Sequence, residues 1–447
     1  MKTKLPPASQ LPALAQTIRI IAQPLQFLEE CAKNHGDTFT LRLLGSQSPP
    51  VVFCSHPQAI ETIFNTDATK FDWGKMTYIF QPLTGDKSLI LQAGKGHKRL
   101  RKILMPPLHG KQLPNYGKLI CQITETLTTQ WQPNTVISIR ESMLEISLQV
   151  ILRVVFGLKP GARYEKLQQL IAPFVEEINS PLNSIQFFWS PLQQNWGKWS
   201  PWGRFLRQQQ AIDQLIYAEI AERRTNPTGD DILSLLISAR DEAGQSLTDQ
   251  ELRDQLITLL LLGHETTASA LAWAFYWIHH QPSVLKKLMQ ELEGLGKNPD
   301  PMTIAQQPYL SAVCKEAMRI YPIALIAQPR LLQQPLSVQN YQYQPGTILV
   351  PCIYLAHRHP QTYTNAQQFQ PERFMERKFS PYEYFPFGGG NRRCIGMALS
   401  LFEMKLILAT VLRHYQLKLV DNRPVRPVRL GITFIPPQGC PMKVEIK

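Results

Sequence analysis

Cys394 stands at the end of the run Phe387-Gly388-Gly389-Gly390-Asn391-Arg392-Arg393, just before a segment whose apolar residues recur at three and four positions from Ile395 to about His414. That periodicity predicts a helix beginning at Ile395 with Cys394 at its start. There, unpaired amide N–H groups and the positive end of the helix dipole favour thiolate over thiol. The three glycines permit positive φ and close backbone approach, so the loop can turn amides toward the sulfur and let a flat ring lie against it. A thiolate presented in this way suits iron. Taken alone, a cysteine after a glycine-rich turn is as readily an inert buried thiol.

A second constellation lies in Leu259-Leu260-Leu261-Leu262-Gly263-His264-Glu265-Thr266-Thr267-Ala268, apolar at first and then abruptly polar. Buried Glu and Thr are unfavourable inside a helix unless they bond something, and the preceding glycine costs about 1 kcal/mol relative to alanine. The conflict predicts a functional kink at Gly263. An acid and an alcohol side by side, with a carbonyl freed at the glycine, would hold water and relay protons; a hydrogen-bonded helix irregularity is the plainer alternative.

The elements that must position these groups can be read in outline. Thr248 and Glu251 form a capping box, and the run from there to just before Pro282 is roughly 34 residues, about 50 Å as a helix, long enough to cross the molecule. Upstream, a helix is predicted over about Ala13 to Lys33, strands near Thr38 to Leu43 and Val51 to Cys54, and amphipathic helices as far as about Arg240. A short helix between Pro308 and Pro322 places Glu316 and Arg319 on one side.

At 447 residues, 44% of them hydrophobic, the chain can bury a large core. It shows no linker, repeat or low-complexity segment, so one mainly α unit with small β-sheets, residues 1–447, is expected. Seven cysteines without a C-x-x-C pair argue against a disulfide framework or zinc site and for a reducing compartment. The start Met-Lys-Thr-Lys-Leu-Pro-Pro lacks a signal-peptide core, and no stretch reaches the roughly 18 apolar residues of a membrane span. A soluble, cytoplasmic monomer with no transmembrane anchor is expected. The net charge of +13 is scattered and accompanied by no binding motif, so nucleic acid is not expected as a partner. The tightest basic group is Lys95, Lys98, Arg99, Arg101 and Lys102; alone it reads as a solvated helix face.

The loop ending at Cys394 resembles the haem-ligand signature of the cytochrome P450 superfamily, F-x-x-G-x-x-x-C-x-G, at every fixed position. Gly263, Glu265, Thr266 and Thr267 are similar to the family's A-G-x-[DE]-T-[ST], with Leu262 where a small residue is usual, a departure that would narrow the substrate pocket. Glu316 and Arg319 match E-x-x-R, and Pro371-Glu372-Arg373-Phe374 supplies the later arginine of the same buried network.

The resemblance implies a P450 fold, a single large domain with haem b between the long central helix and the helix after the Cys394 loop. Cys394 would be the axial iron ligand. Phe387 would pack under the ring, and Arg392, Arg330, His97 and Arg101 would bind the propionates. The His97 and Arg101 pair stands where the family usually has tryptophan and arginine. Leu325, Ile326 and Ala327 fit either pocket border or core.

The implied reaction is insertion of one oxygen atom of O2 into a C–H bond, with Glu265 and Thr266 managing proton delivery. Electrons would come from a separate ferredoxin or flavodoxin with its reductase, steered by Lys98, Arg99 and Lys102. An electron-independent isomerase or dehydratase and a noncatalytic haem-binding protein are the alternatives.

Between Ser180 and Phe205 the chain carries Phe187, Phe188, Trp189, Trp196, Trp199 and Trp202 among prolines and glycines. In the family this is the mobile entrance. Exposed, such aromatics would make a greasy lid or touch a membrane peripherally over 187–202; buried, they are core. A hydrophobic mouth favours a lipophilic substrate such as a long-chain fatty acid, an alkane or a terpenoid.

Overall fold

The computed structural model describes residues 5–43, 45, 47–226 and 229–445. Met1 to Lys4, read above at the amino terminus, and the side chains of Pro181, Leu182, Ser184, Phe188, Ser190 and Lys198 lie outside the described set. The chain is mainly helical with small β-sheets. It forms two compact units: one from the residues up to Thr77 with Lys315–Cys394, the other from Tyr78–Cys314 with the segment from Ile395 onward.

In the first unit, the helix predicted over Ala13 to Lys33 is two helices, Ala13–Ala22 and Pro24–His35. Pro24 has no N–H to continue the first and its fixed φ suits the first position of the second, so the break falls at Gln23. The strands Thr38–Arg42 and Pro50–Cys54 pair antiparallel with Phe39 opposite Phe53. Pro50–Cys54 also runs parallel to Ile348–Pro351, which pairs antiparallel with Arg330–Leu331. The sheet therefore joins strands roughly 280 residues apart in sequence, and Arg330 sits at its edge. Its core includes Ile60, Ile63, Phe64, Phe71, Trp73 and Ala327.

The same unit assembles the charged trio. Glu316 and Arg319 are fully buried, and Arg319 donates to both Glu316 carboxylate oxygens at 2.7 and 2.8 Å. Arg373 Nε donates to Glu316 at 3.1 Å, and Arg319 Nη1 also reaches the His357 and Ala366 carbonyls. Such a network holds because nearly every donor has an acceptor; breaking one partner would strand a buried charge.

The second unit is built on the helix Asp249–His280. Its capping box is complete: Thr248 Oγ1 accepts from the Glu251 amide at 3.1 Å, and Glu251 accepts from the Thr248 amide at 2.9 Å. By length and composition this helix could cross a membrane, but 67% of its most apolar window is buried within the protein, and among the described residues no other helix passes that test. The carboxyl-terminal hairpin, Val428–Leu430 with Thr433–Ile435, is fastened to it by Trp273, whose indole N–H donates to the Phe434 carbonyl at 2.9 Å. A three-stranded antiparallel sheet, Val136–Ser138, Pro441–Glu445 and Gln416–Leu419, completes this unit's β-structure among the described residues.

Candidate active site

Cys394 does not begin a helix. The helix is Met397–His414 with Gly396 as its N-cap, so the cysteine lies two residues outside the cap and draws less on the dipole than its sequence position implied. Instead the loop closes on itself: the Cys394 amide donates to the Phe387 carbonyl at 3.0 Å, and the cysteine side chain is exposed. The glycines before it answer to Phe64. A Cβ on Gly389 would lie 2.1 Å from the Phe64 ring, and one on Gly390, whose φ is +63°, would lie 2.6 Å from the Phe64 carbonyl oxygen. Their small size thus seats the loop on protein. In the second unit, the ring N–H of His109 donates to the carbonyl of Ile395 at 2.8 Å, a support for the residue after the cysteine that sequence reading did not find.

Arg330 and Arg392 are brought together over one indole. Their guanidinium carbons lie 4.6 and 4.4 Å from the Trp73 ring centroid. Arg330 is 2% exposed, its Nη2 reaches the Gly389 carbonyl at 3.4 Å, and its Nη1 bonds the Gln328 carbonyl. Burial first, and the neighbouring Arg392 second, push the Arg330 pKa down to about 9. A buried cation beside a second cation, with no carboxylate paired to it among the described residues, calls for an anionic ligand.

His97 and Arg101 occupy the helix Gly94–Leu104 one turn apart, with His97 buried. The basic group around them is smaller than its sequence suggested. Arg99 is taken by Asp241 and Glu251, each at 2.6 Å, and Lys102 pairs with Glu242. Arg99 is therefore withdrawn from any docking face, leaving Lys95 and Lys98 as the exposed cations of that helix without an ion pair among the described residues.

Glu265 and Thr266 line an apolar cavity together with Ile79, Phe80, Leu83, Val175, Leu262 and Phe187. The helix is continuous through Gly263, where sequence predicted a kink. Gly263 serves packing: a Cβ there would come within 3.1 Å of Ile151 Cδ1, on the π-helical turn Ile151–Val155. The threonine hydroxyls satisfy local carbonyls, Thr266 Oγ1 donating to Leu262 O at 2.8 Å and Thr267 Oγ1 to Gly263 O at 2.9 Å. Glu265 is held on both oxygens, by Arg140 Nη2 at 2.9 Å and Asn179 Nδ2 at 3.0 Å. Burial lowers the Arg140 pKa, while Glu265 opposes that shift. Neither partner was legible in the sequence, because they come from distant helices.

The aromatic segment divides. Phe187 is buried, packs edge-on against Phe205 at 5.2 Å between centroids, and lines the cavity. Trp189, Trp196 and Trp199 are exposed, Trp199 at 81%. Phe188 falls outside the described side chains.

A family model described as Cytochrome P450 matches residues 5–440. The chain belongs to the cytochrome P450 family. It is 33% identical over 444 residues to cytochrome P450 135B1 of Mycobacterium tuberculosis, covering 99% of this chain and 91% of the relative. Cytochrome P450 135A1 of the same species is 30% identical, covering 99% and 96%. Among solved structures, the fold is similar to the retinoic acid bound cyanobacterial CYP120A1, with TM-score 0.84, 25% identity, and coverage of 99% of this chain and 100% of that one. The cytochrome P450DA heme domain superposes with TM-score 0.85 at 20% identity, over 100% and 98% of the two chains, and speaks for the fold alone.

This P450 is therefore a haem-thiolate monooxygenase whose cofactor is iron protoporphyrin IX. The cofactor supplies oxygen activation at its iron when bound. The residues present fit it: an exposed cysteine on a closed loop, and two arginines over Trp73 suited to ring carboxylates.

Proposed function

We propose that this P450 hydroxylates a lipophilic small molecule, a long-chain fatty acid, an alkane or a terpenoid, with electrons from a ferredoxin or flavodoxin and its reductase. The observation that carries the reading is the cavity walled by Ile79, Phe80, Leu83, Val175, Leu262 and Phe187, into which the central helix brings Thr266. Apolar walls with few polar groups select ligands by burial of apolar surface, worth roughly 25 cal/mol per Å2. The cyanobacterial neighbour is named for bound retinoic acid, itself a lipophile.

In this reading Cys394 is the axial iron ligand. Arg330 and Arg392, with His97 and Arg101, hold the propionates, and Phe387 supports the ring. Thr266 spends its one hydroxyl proton on the Leu262 carbonyl and keeps its lone pairs for a water. Glu265, anchored by Arg140 and Asn179, is a fixed carboxylate beside that water, not a swinging carrier. Residues 1–447 act as one catalytic domain, supported by the unbroken family match over 5–440. The enzyme works as a cytoplasmic monomer, a placement supported by the absence of disulfides among its seven cysteines. The exposed Trp189, Trp196 and Trp199 give it peripheral contact with a membrane surface.

The test is turnover under 18O2 with a fatty acid, alkane and terpenoid panel, with and without ferredoxin and reductase. Singly labelled hydroxylated product that depends on the reductase supports the reading. Product formed equally without reductase, or no product from any lipophile, contradicts it.

A further inference from the structure

The apolar cavity has an exposed cation at its edge, Arg429, that pairs with no carboxylate among the described residues. Arg429 lines it on the strand Val428–Leu430, at the end where Gly431 and Ile432 turn the hairpin. Its Nε donates to the Gly431 carbonyl at 2.9 Å, which folds the side chain along the turn. The cavity's own acid, Glu265, is committed to Arg140 and Asn179.

The hairpin is also fixed in place. Phe434, opposite Arg429 in the strand pairing, gives its carbonyl to the Trp273 indole of the central helix. Gly431 has a φ of +57° and lies against Asn179: a Cβ there would be 2.6 Å from Asn179 Oδ1. Asn179 thus lies close beneath the hairpin turn while its Nδ2 donates to Glu265, so the cation's strand adjoins the cavity wall. Arg429 itself is exposed at the cavity mouth, where its guanidinium meets solvent on one side and the cavity on the other.

An unpaired guanidinium at the rim of a pocket otherwise lined by Leu261, Leu262, Ile79, Leu83, Val175 and Phe187 matches a molecule with one anionic end and an apolar body. We infer that Arg429 is the headgroup anchor of this P450 and that its substrates are lipophilic monocarboxylic acids, held by the carboxylate at the hairpin with the chain running toward Thr266. The inference rests on the lipophile reading above and narrows it: alkanes and neutral terpenoids lack the group that Arg429 recognises.

The experiment is spectral titration of the haem-loaded enzyme with hexadecanoic acid, its methyl ester and hexadecane, using wild type, Arg429→Gln and Arg429→Lys. Wild type should bind the acid at least about tenfold more tightly than the ester, as expected for a charge-assisted bidentate contact. Arg429→Gln should bring the acid-to-ester ratio close to one, and Arg429→Lys should restore part of the preference. An unaltered reduced carbon monoxide spectrum verifies that the variants retain the site. Equal affinity for acid and ester in wild type, or a preference that survives Arg429→Gln, overturns the anchor while leaving the lipophile reading intact. Absence of any shift with acid, ester and alkane overturns both.

Discussion

Arg330 and Arg392 share the indole of Trp73, with guanidinium carbons 4.6 and 4.4 Å from its centroid. Two cations placed so closely repel each other, and an anion between or beside them would relieve the repulsion. In the function proposed above, that anion is a haem propionate.

Arg330→Ala should therefore weaken haem retention more than it weakens the fold, since it removes a buried cation that has no carboxylate partner among the described residues. The check is the haem-to-protein ratio after purification and the rate of haem transfer to apomyoglobin. A several-fold faster loss with little change in the far-ultraviolet circular dichroism is expected. Unchanged haem transfer would separate Arg330 from the propionates.

Arg140 and Glu265 form a pair with side chains about one-tenth exposed, at 12% and 10%. Removing one partner strands the other, at a cost of about 3 kcal/mol. Arg140→Leu should lower the midpoint of urea denaturation accordingly, and Arg140→Leu with Glu265→Leu should recover part of the loss. In turnover, Thr266→Ala should divert reducing equivalents from product to hydrogen peroxide without a comparable loss of stability. Equal coupling in Thr266→Ala and wild type would remove the hydroxyl from the proton path.

Glu403, in the helix Met397–His414, is fully buried beside Ser147, and burial raises its pKa to about 8. The folded state then holds a proton that the unfolded state releases near the ordinary carboxylate value. Between about pH 4.5 and 8, stability must fall as pH rises. Glu403→Gln, always neutral, should abolish that part of the slope and be more stable than wild type at pH 8 by about 4 kcal/mol, with a difference below about 1 kcal/mol at pH 5. Denaturation midpoints at the two pH values measure it; parallel pH dependences would refute the raised pKa.

The features legible in the sequence are those encoded locally. The capping box of Thr248 and Glu251, the acid and alcohol at Glu265-Thr266, and the E-x-x-R spacing of Glu316 and Arg319 each lie within one turn of helix, where spacing dictates contact. What escaped reading depends on partners brought from elsewhere. Arg140 meets Glu265 across 125 residues, and Asn179 meets it across 86. Arg99 has the sequence setting of an exposed steering charge, but chain folding places Asp241 and Glu251 against it. Gly263 before two polar residues reads as a kink in sequence; in the structure it makes room for Ile151, a packing demand that has no local signature. The break at Pro24 was legible in principle, because proline cannot donate to the preceding turn.

The central claim is that Cys394 supplies the thiolate to haem iron. The most direct measurement is the carbon monoxide difference spectrum of the dithionite-reduced protein, taken for wild type and Cys394→Ala purified with haem. A thiolate-type Soret band in wild type that is absent from Cys394→Ala is the predicted result. A thiolate-type band that persists in Cys394→Ala would contradict it.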